Sequence, residues 1–433
     1  MMDKVNVFWF RRDLRLDDNN GLFEALKSGK KVIPIFIFDK NILEKLPEDD
    51  ARVNFIYTQL QKINAILHTA NSSLQVFYGT PQDTFKHLTT LFNIDSVYTN
   101  KDYEPYAIKR DTEIRDFLNA NNINFYSYKD HVIFEENEIT KDDGTPYKVY
   151  TPYSKKWLTT FQPSQLTSFP SEALIQNFYP LDKKEIISLT ELGFKTSFIK
   201  VPDYKITSTL INEYEAKRNF PAINATSKLG IHLRFGTISV RKAVLEAKKS
   251  DNPTFLKELI WREFFIQILW HYPKTITKAF KPKYDAIIWR NNRTEFEHWC
   301  NGTTGYPLVD AGMRELNNTG FMHNRVRMLV GSFLCKHLLI DWRWGEAYFA
   351  EKLLDFELAS NVGNWQWVAG CGVDAAPYFR IFNPTTQIQK FDKQLIYIKK
   401  WVPNFQELTY PTQIVDHKFA RERCLATYKE ALN

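Results

Sequence analysis

VNVFWFRRDLRLDDNNGLFEALKSGKKVIPIFIF, residues 5–38, contains two runs, 5–10 and 32–38, in which nearly every side chain is apolar or aromatic. A strand with one wet face alternates apolar and polar residues, so an unbroken apolar run reads as a strand buried on both faces. LQVFY at 74–78, SVYTN at 96–100 and NFYSY at 124–128 read the same way, and amphipathic segments such as 52–68 and 105–120 lie between the runs. Strands alternating with helices predict an α/β domain over residues 1–130, built on a doubly wound parallel sheet. Such sheets take ligands at the carboxyl ends of their strands. RRDLRLDDN (11–19) follows the first strand at that end, and DYEPYAIKRD (102–111) follows the fourth.

Working outward, residues 131–200 lose this alternation. Prolines at 146, 152, 163, 170 and 180 among Ser, Thr and Lys predict an interdomain connector running over the surface. From 201 to 433 the pattern is helix after helix, predicting an all-helical second domain that holds nine of the eleven tryptophans. A chain of 433 residues exceeds one ordinary core, which agrees with two domains. Its 44% hydrophobic and 25% charged residues describe a globular protein. No apolar run approaches the ~18 residues of a membrane span, and the start turns charged too early for a signal peptide, so a cytoplasmic protein without membrane attachment is expected. Cys300, Cys335, Cys371 and Cys424 form no CxxC pair, which argues against a disulfide framework or a metal site. The net charge of +7 is uneven: from 201 onward there are 32 Lys and Arg against 23 Asp and Glu, but 25 against 27 before that point. The helical part therefore suits an anionic partner such as a phosphate backbone.

The chemistry concentrates in DFELASNVGNWQWVAGCGVDAAPYFRIFNP, residues 355–384. Trp365 and Trp367, at i and i+2, point to roughly opposite sides of a helix, so one is expected to face a buried cofactor and the other a cavity. Asp355, Glu357 and Asn361 are polar groups in an apolar setting and need partners. In TSKLG (226–230), Thr226 and Ser227 precede an apolar-periodic helix, and a helix start with hydroxyls and free amides suits an anion. ELIWREFF (258–265) places Glu258, Trp261 and Arg262 on one face at i, i+3, i+4, and MHNRVRM (322–328) repeats that spacing with Asn324, Arg327 and Met328. GCGVDA (370–375) imitates a dinucleotide-binding glycine motif, but no strand precedes it, so it is a decoy.

FWFRRDLRLDDN near the start, KVYTPYSKKW at 148–157, WREFF, MHNRVRM and the 355–384 stretch together resemble the photolyase/cryptochrome family over nearly the whole chain. The likeness is closest to its microbial class I cyclobutane pyrimidine dimer photolyases. It implies FAD, with the pyrophosphate held by Thr226, Ser227, Lys228, Leu229 and Gly230 together with Tyr214. Lys228 stands where most relatives have Arg, turning a bidentate contact into a point charge. The resemblance gives Arg262, Asn324, Arg327, Asp355, Glu357 and Asn361 flavin contacts, Arg327 pairing with Asp355 and Asn361 facing the central ring nitrogen with an amide that adapts to protonation state. Phe356-Glu357 replaces the family's Gly-Asp, which alters the geometry of the Glu357 contact. Glu258, Trp261, Asn324, Met328 and Trp367 are implied to hold the DNA lesion, and Arg218 the DNA. Met328 stands where (6-4) photoproduct enzymes carry histidine, which favours the cyclobutane substrate. Trp365, Trp342 and Trp289 match a tryptophan chain that reduces the photoexcited oxidised flavin. A second, antenna pigment of folate or deazaflavin type is open, with Glu104 at a position where an antenna contact often lies. The implied function is light-driven repair of pyrimidine dimers in DNA by a monomer. The rival is a cryptochrome-like photoreceptor without repair.

Overall fold

Five parallel strands, β1 (Val5–Phe10), β2 (Val32–Asp39), β3 (Gln75–Gly79), β4 (Ile94–Asn100) and β5 (Asn124–Tyr128), form one sheet in the order β3-β2-β1-β4-β5. These coordinates are a computed structural model describing residues 3–433. Along β1 the side chains of Val5, Val7 and Trp9 pack with Ile33, Ile35 and Ile37 of β2 in one core layer. Phe8 and Phe10 pack with Phe36 and Phe38 in the layer on the other face. This period-two division is why β1 and β2 are apolar at almost every position. The edge strands depart from the expectation of burial on both faces: β3 is half-buried throughout and β5 is mostly exposed. Each has only one neighbouring strand, so fewer of its side chains are covered.

The chain separates into two compact units that do not follow chain order. The first comprises residues up to Glu138 together with 160–204 and 228–249. Its sheet reverses strand order between β1 and β4, and the loops beyond those strand ends are tied by buried ion pairs. Arg11 pairs with Asp111 and donates to the Asn100 carbonyl, and Arg15 bonds Asp130 at 2.6 Å. Arg241, in this unit's last segment, reaches Asp18 at 2.9 Å and Asp130 at 2.8 Å. Burial works to raise the Asp130 carboxyl, but the Arg15 and Arg241 guanidinia outweigh it and hold it at about 2.

The second unit comprises 139–159, 205–227 and 250–433. The expected connector 131–200 is thus divided, and part of it is a helix, Tyr150–Thr160, that buries Tyr150, Tyr153 and Trp157. Those residues are spaced i, i+3, i+7 and share one helical face. Pro152 falls in the first turn, where its missing N–H costs nothing. The remaining helices include Ser208–Lys217, Thr254–His271, Asn324–Ser332, Trp342–Lys352, Leu358–Ala369 and His417–Leu432, and no strand occurs among the described residues after 201. Gly363 lets Leu358–Ala369 approach Thr254–His271 closely, since a Cβ there would stand 2.3 Å from Phe265 Cδ1. GCGVDA follows the Leu358–Ala369 helix, with Gly370 as its left-handed C-cap at φ 90°. Among the described residues, no helix is long and apolar enough to cross a membrane, and no group of three His, Cys, Asp or Glu is placed to hold a metal ion.

Candidate functional site

Two adjacent stripes of the Leu358–Ala369 helix, Ser360-Asn364-Trp367 and Asn361-Trp365-Val368, line a cavity that is open to solvent. The opposite wall is Asn324, Arg327, Met328 and Gly331, and Asp355, Phe356 and Glu357 form one end. Trp365 and Trp367 therefore line the same cavity instead of facing separate surroundings. Side chains at i and i+2 diverge, but the cavity spans the helix flank between them, so both indoles line it.

Arg327 joins its own wall to the end of the cavity. Its Nη2 donates to Asp355 Oδ2 at 2.9 Å and its Nε to the Met322 carbonyl at 2.7 Å, so the expected Arg327–Asp355 pair is present. Asp355 Oδ1 is buried and has no hydrogen-bond partner, and a buried acceptor in that condition is costly unless a ligand supplies the donor. Asn361 Nδ2 donates to the backbone carbonyl of Glu346 at 3.0 Å and to Glu346 Oε1 at 2.8 Å. The amide is thereby held in one orientation, contrary to the expected freedom to adapt, and it leaves its carbonyl oxygen to the cavity it lines. Burial pushes the Glu346 carboxyl above its usual range. Nothing in the sequence marked Glu346, because its contact with Asn361 joins two separate helices. At the end of the cavity Glu357 is buried and Arg262 Nη2 donates to its Oε1 at 2.9 Å. Two residues expected to contact one cofactor thus also neutralise each other.

Glu258, Trp261 and Arg262 share a half-buried flank of the Thr254–His271 helix as their spacing predicts, and none of them lines the cavity. Only Arg262 is linked to it, through Glu357. The Glu258 carboxylate does not pair with Arg262 along its own helix. It accepts from Arg218 Nη1 at 2.5 Å, and the Arg218 guanidinium lies 5.3 Å over the Tyr214 ring. Burial, followed by the Glu258 charge, pushes the Tyr214 phenol up to about 12. Trp261 is partly exposed, and Tyr150 is stacked on one of its faces at 3.7 Å between centroids and 7° between planes. Sequence reasoning missed Tyr150, whose signal was the aromatic spacing in YTPYSKKW.

Thr226 and Ser227 end the 205–227 segment of the second unit, while Lys228, Leu229 and Gly230 belong to the first. Lys228, left-handed at φ 56°, occupies the N-cap position of the short Leu229–Arg234 helix, directly after Thr226 and Ser227. Within the first unit, Glu104 accepts from Arg234 at 2.6 Å and from Arg12 at 3.2 Å. Of the three expected chain tryptophans, Trp365 and Trp342 are buried and Trp289 is half-buried. Trp365 makes ring contacts with Phe349 at 5.0 Å and with the fully buried Trp299 at 6.1 Å. Trp342 carries the Arg343 guanidinium 4.7 Å over its ring, and Trp289 meets Tyr428 at 6.0 Å.

Residues 6–173 match DNA photolyase, and residues 255–409, which contain the cavity, match the FAD binding domain of DNA photolyase. The chain is 35% identical to a deoxyribodipyrimidine photo-lyase of Agrobacterium fabrum, over 98% of this chain and 97% of that one. Its fold matches a bacterial class III photolyase from Agrobacterium tumefaciens with a TM-score of 0.90 at 33% identity, covering 100% of this chain and 98% of the other. It also matches an archaeal photolyase from Sulfolobus tokodaii, a structure with two FAD molecules, with a TM-score of 0.82 at 33% identity and coverage of 98% and 99%. Likeness at this level over the full length of both domains, around a cavity built from the FAD-domain helices, means that the chain belongs to the photolyase/cryptochrome family.

Proposed function

We propose that the protein is a light-driven repair lyase that splits cyclobutane pyrimidine dimers in DNA, with FAD as its working cofactor in the cavity of the second unit. The observation that carries this reading is the pairing of Arg327 with Asp355 beside an unpartnered buried Asp355 oxygen and the fixed Asn361 carbonyl. A guanidinium, two acceptors and flanking indoles suit a planar ring that has both N–H donors and developing negative charge. Arg262, Asn324 and Glu357 complete the proposed contacts to the ring. Tyr214 and the stretch Thr226, Ser227, Lys228, Leu229 and Gly230 are the proposed holders of the pyrophosphate.

The cavity residues would hold FAD, which when reduced and bound would supply light-driven one-electron transfer to and from the dimer. The chain's own groups position and stabilise. Arg327 balances negative charge at the cofactor, and its bonds to Asp355 and the Met322 carbonyl keep it aligned. Glu258 has Oε1 taken by Arg218, and its other oxygen can accept a thymine ring N–H. Trp261 and Trp367 offer aromatic faces to a base removed from the duplex, and Asn324 and Met328 line the same approach. Arg218 and the basic surplus of the helical part grip phosphates without reading sequence. Four free thiols fit a cytoplasmic protein, and a monomer suffices, since every proposed contact comes from one chain.

The test is blue illumination of the chemically reduced protein with an oligonucleotide carrying one thymine dimer, scoring intact thymines. Restored thymines are expected. Flavin absorbance near ~450 nm without repair would instead favour the photoreceptor reading, and no flavin after reconstitution with excess FAD would overturn both.

A further inference from the structure

We infer that Tyr150 is a positioning residue for the lesion-binding face of Trp261, an inference that rests on the proposed repair function. The two rings lie 3.7 Å apart and 7° from parallel, so Tyr150 is stacked flat against one face of the indole. Aromatic pairs left to themselves prefer offset or edge-to-face arrangements, and the other ring contacts of Trp261 are not parallel, being edge-on to Phe264 at 5.6 Å and 79° and tilted to Phe265 at 5.5 Å and 31°. The parallel stack is imposed by anchors on both sides of the ring. The Tyr150 hydroxyl donates to the Lys257 carbonyl at 2.8 Å, one turn before Trp261, and the Tyr150 backbone N–H donates to Asp374 Oδ2 at 3.1 Å.

The register of the Tyr150–Thr160 helix is set further along its length. Trp157 Nε1 donates to the buried Glu263 Oε1 at 2.6 Å, and Tyr153 Oη shares that oxygen at 3.3 Å. This lock on the Thr254–His271 helix places Tyr150 over Trp261 rather than a turn away. With one face covered and the ring partly exposed, Trp261 has a single face to offer a base. Burial, and after it the charge of Glu258, the other residue of this flank proposed to hold the lesion, push the Tyr150 phenol upward.

A tyrosine that merely filled the core would matter to stability and to every ligand alike. A tyrosine that sets the pose of Trp261 matters to damaged DNA alone and only while Trp261 is present. The experiment measures binding of a dimer-containing oligonucleotide and of its undamaged twin by the FAD-loaded protein, alongside flavin content and melting temperature. Tyr150→Ala should weaken the damaged oligonucleotide about tenfold, within the range expected for one base–aromatic stack, and leave the undamaged one unchanged. Tyr150→Phe, which keeps the ring and the Asp374 anchor but loses the hydroxyl's, should weaken the damaged oligonucleotide less than Tyr150→Ala does and leave the undamaged one unchanged. Trp261→Ala combined with Tyr150→Ala should bind no more weakly than Trp261→Ala alone. Equal weakening for damaged and undamaged DNA, additive losses in the double variant, or a Tyr150→Phe variant as weak as Tyr150→Ala would each overturn the assignment. Should Tyr150→Ala fail to fold, Tyr150→Leu carries the same comparison. A parent protein that does not prefer damaged DNA would overturn the repair function itself, a result distinct from any of these.

Discussion

Asp355 shows how much one side chain can commit a cavity. Its Oδ2 is held by Arg327 while its Oδ1 is buried without a donor. Replacing Asp355 with Ala removes both the acceptor and the counter-charge of Arg327. At roughly a quarter exposed, the pair is screened, so the expected loss is about 1–2 kcal/mol of cofactor affinity. It should be read as a rise in the FAD dissociation constant by fluorescence titration, and an unchanged constant would remove Asp355 from the cofactor's contacts. Trp365 is the second residue whose role is separable. Trp365→Phe, a ring smaller but mild for packing, should abolish most light-driven reduction of the oxidised cofactor and yet allow normal repair after chemical reduction with dithionite. Unchanged photoreduction would take Trp365 out of the electron path, and lost repair after full reduction would give it a packing role.

At the scale of elements, the site depends on how closely Leu358–Ala369 lies against Thr254–His271. A glycine in an open helical position gains up to ~1 kcal/mol on replacement by alanine. Gly363 is not open, because the added Cβ would meet the Phe265 ring at 2.3 Å, and overpacking of this kind costs about 1–3 kcal/mol. The clash outweighs the propensity, so Gly363→Ala should lower the urea midpoint and, by separating the helices, stretch the 2.9 Å Arg262–Glu357 pair and reduce FAD retention. A stabilised variant would show that the two helices can shift apart without cost. The π-helical turn Phe333–His337 is a second device at this scale, since it carries two fully buried titratable residues, Lys336 and His337. Lys336 donates to the Tyr378 carbonyl at 2.9 Å and lies 4.4 Å over the Tyr428 ring, and His337 bonds His417 Nδ1 at 2.8 Å. Both thereby fasten the His417–Leu432 helix.

That fastening affects the stability of the whole molecule. Burial first, and then the neighbouring His417 and Arg423, lower His337 to about 3. In the unfolded chain an imidazole takes up a proton below about 6.5, whereas the folded one stays neutral until about 3. Stability from this group is therefore undiminished above pH 6.5 and falls by about 1.4 kcal/mol per pH unit between 6.5 and 3. His337→Gln should flatten the decline in urea-unfolding free energy between pH 7 and 5 by about 2 kcal/mol, and an unaltered slope would mean that His337 is not the group responsible. Charge acts on the same scale in binding. Raising salt should weaken damaged and undamaged DNA together, because phosphate contacts release counterions, while the preference for damage persists.

The sequence by itself determined the sheet, because the apolar runs of β1 and β2 reflect burial on two faces, a property of each strand alone. It determined the bounds of the Pro105–Ala120 helix in the same way, and through the resemblance it placed Arg327 with Asp355. Only the tertiary structure decided which charges meet: Glu258 with Arg218, 40 residues away, and Arg262 with Glu357, 95 residues away. It alone brought Trp365 and Trp367 to one cavity, turned the Asn361 amide toward Glu346, and docked the Tyr150–Thr160 helix under Trp261. The physical reason is range. Helical and strand periodicity is set by neighbours within a few residues, so it can be read from a single segment. Pairing and stacking depend on side-chain directions in segments that meet only when the core closes.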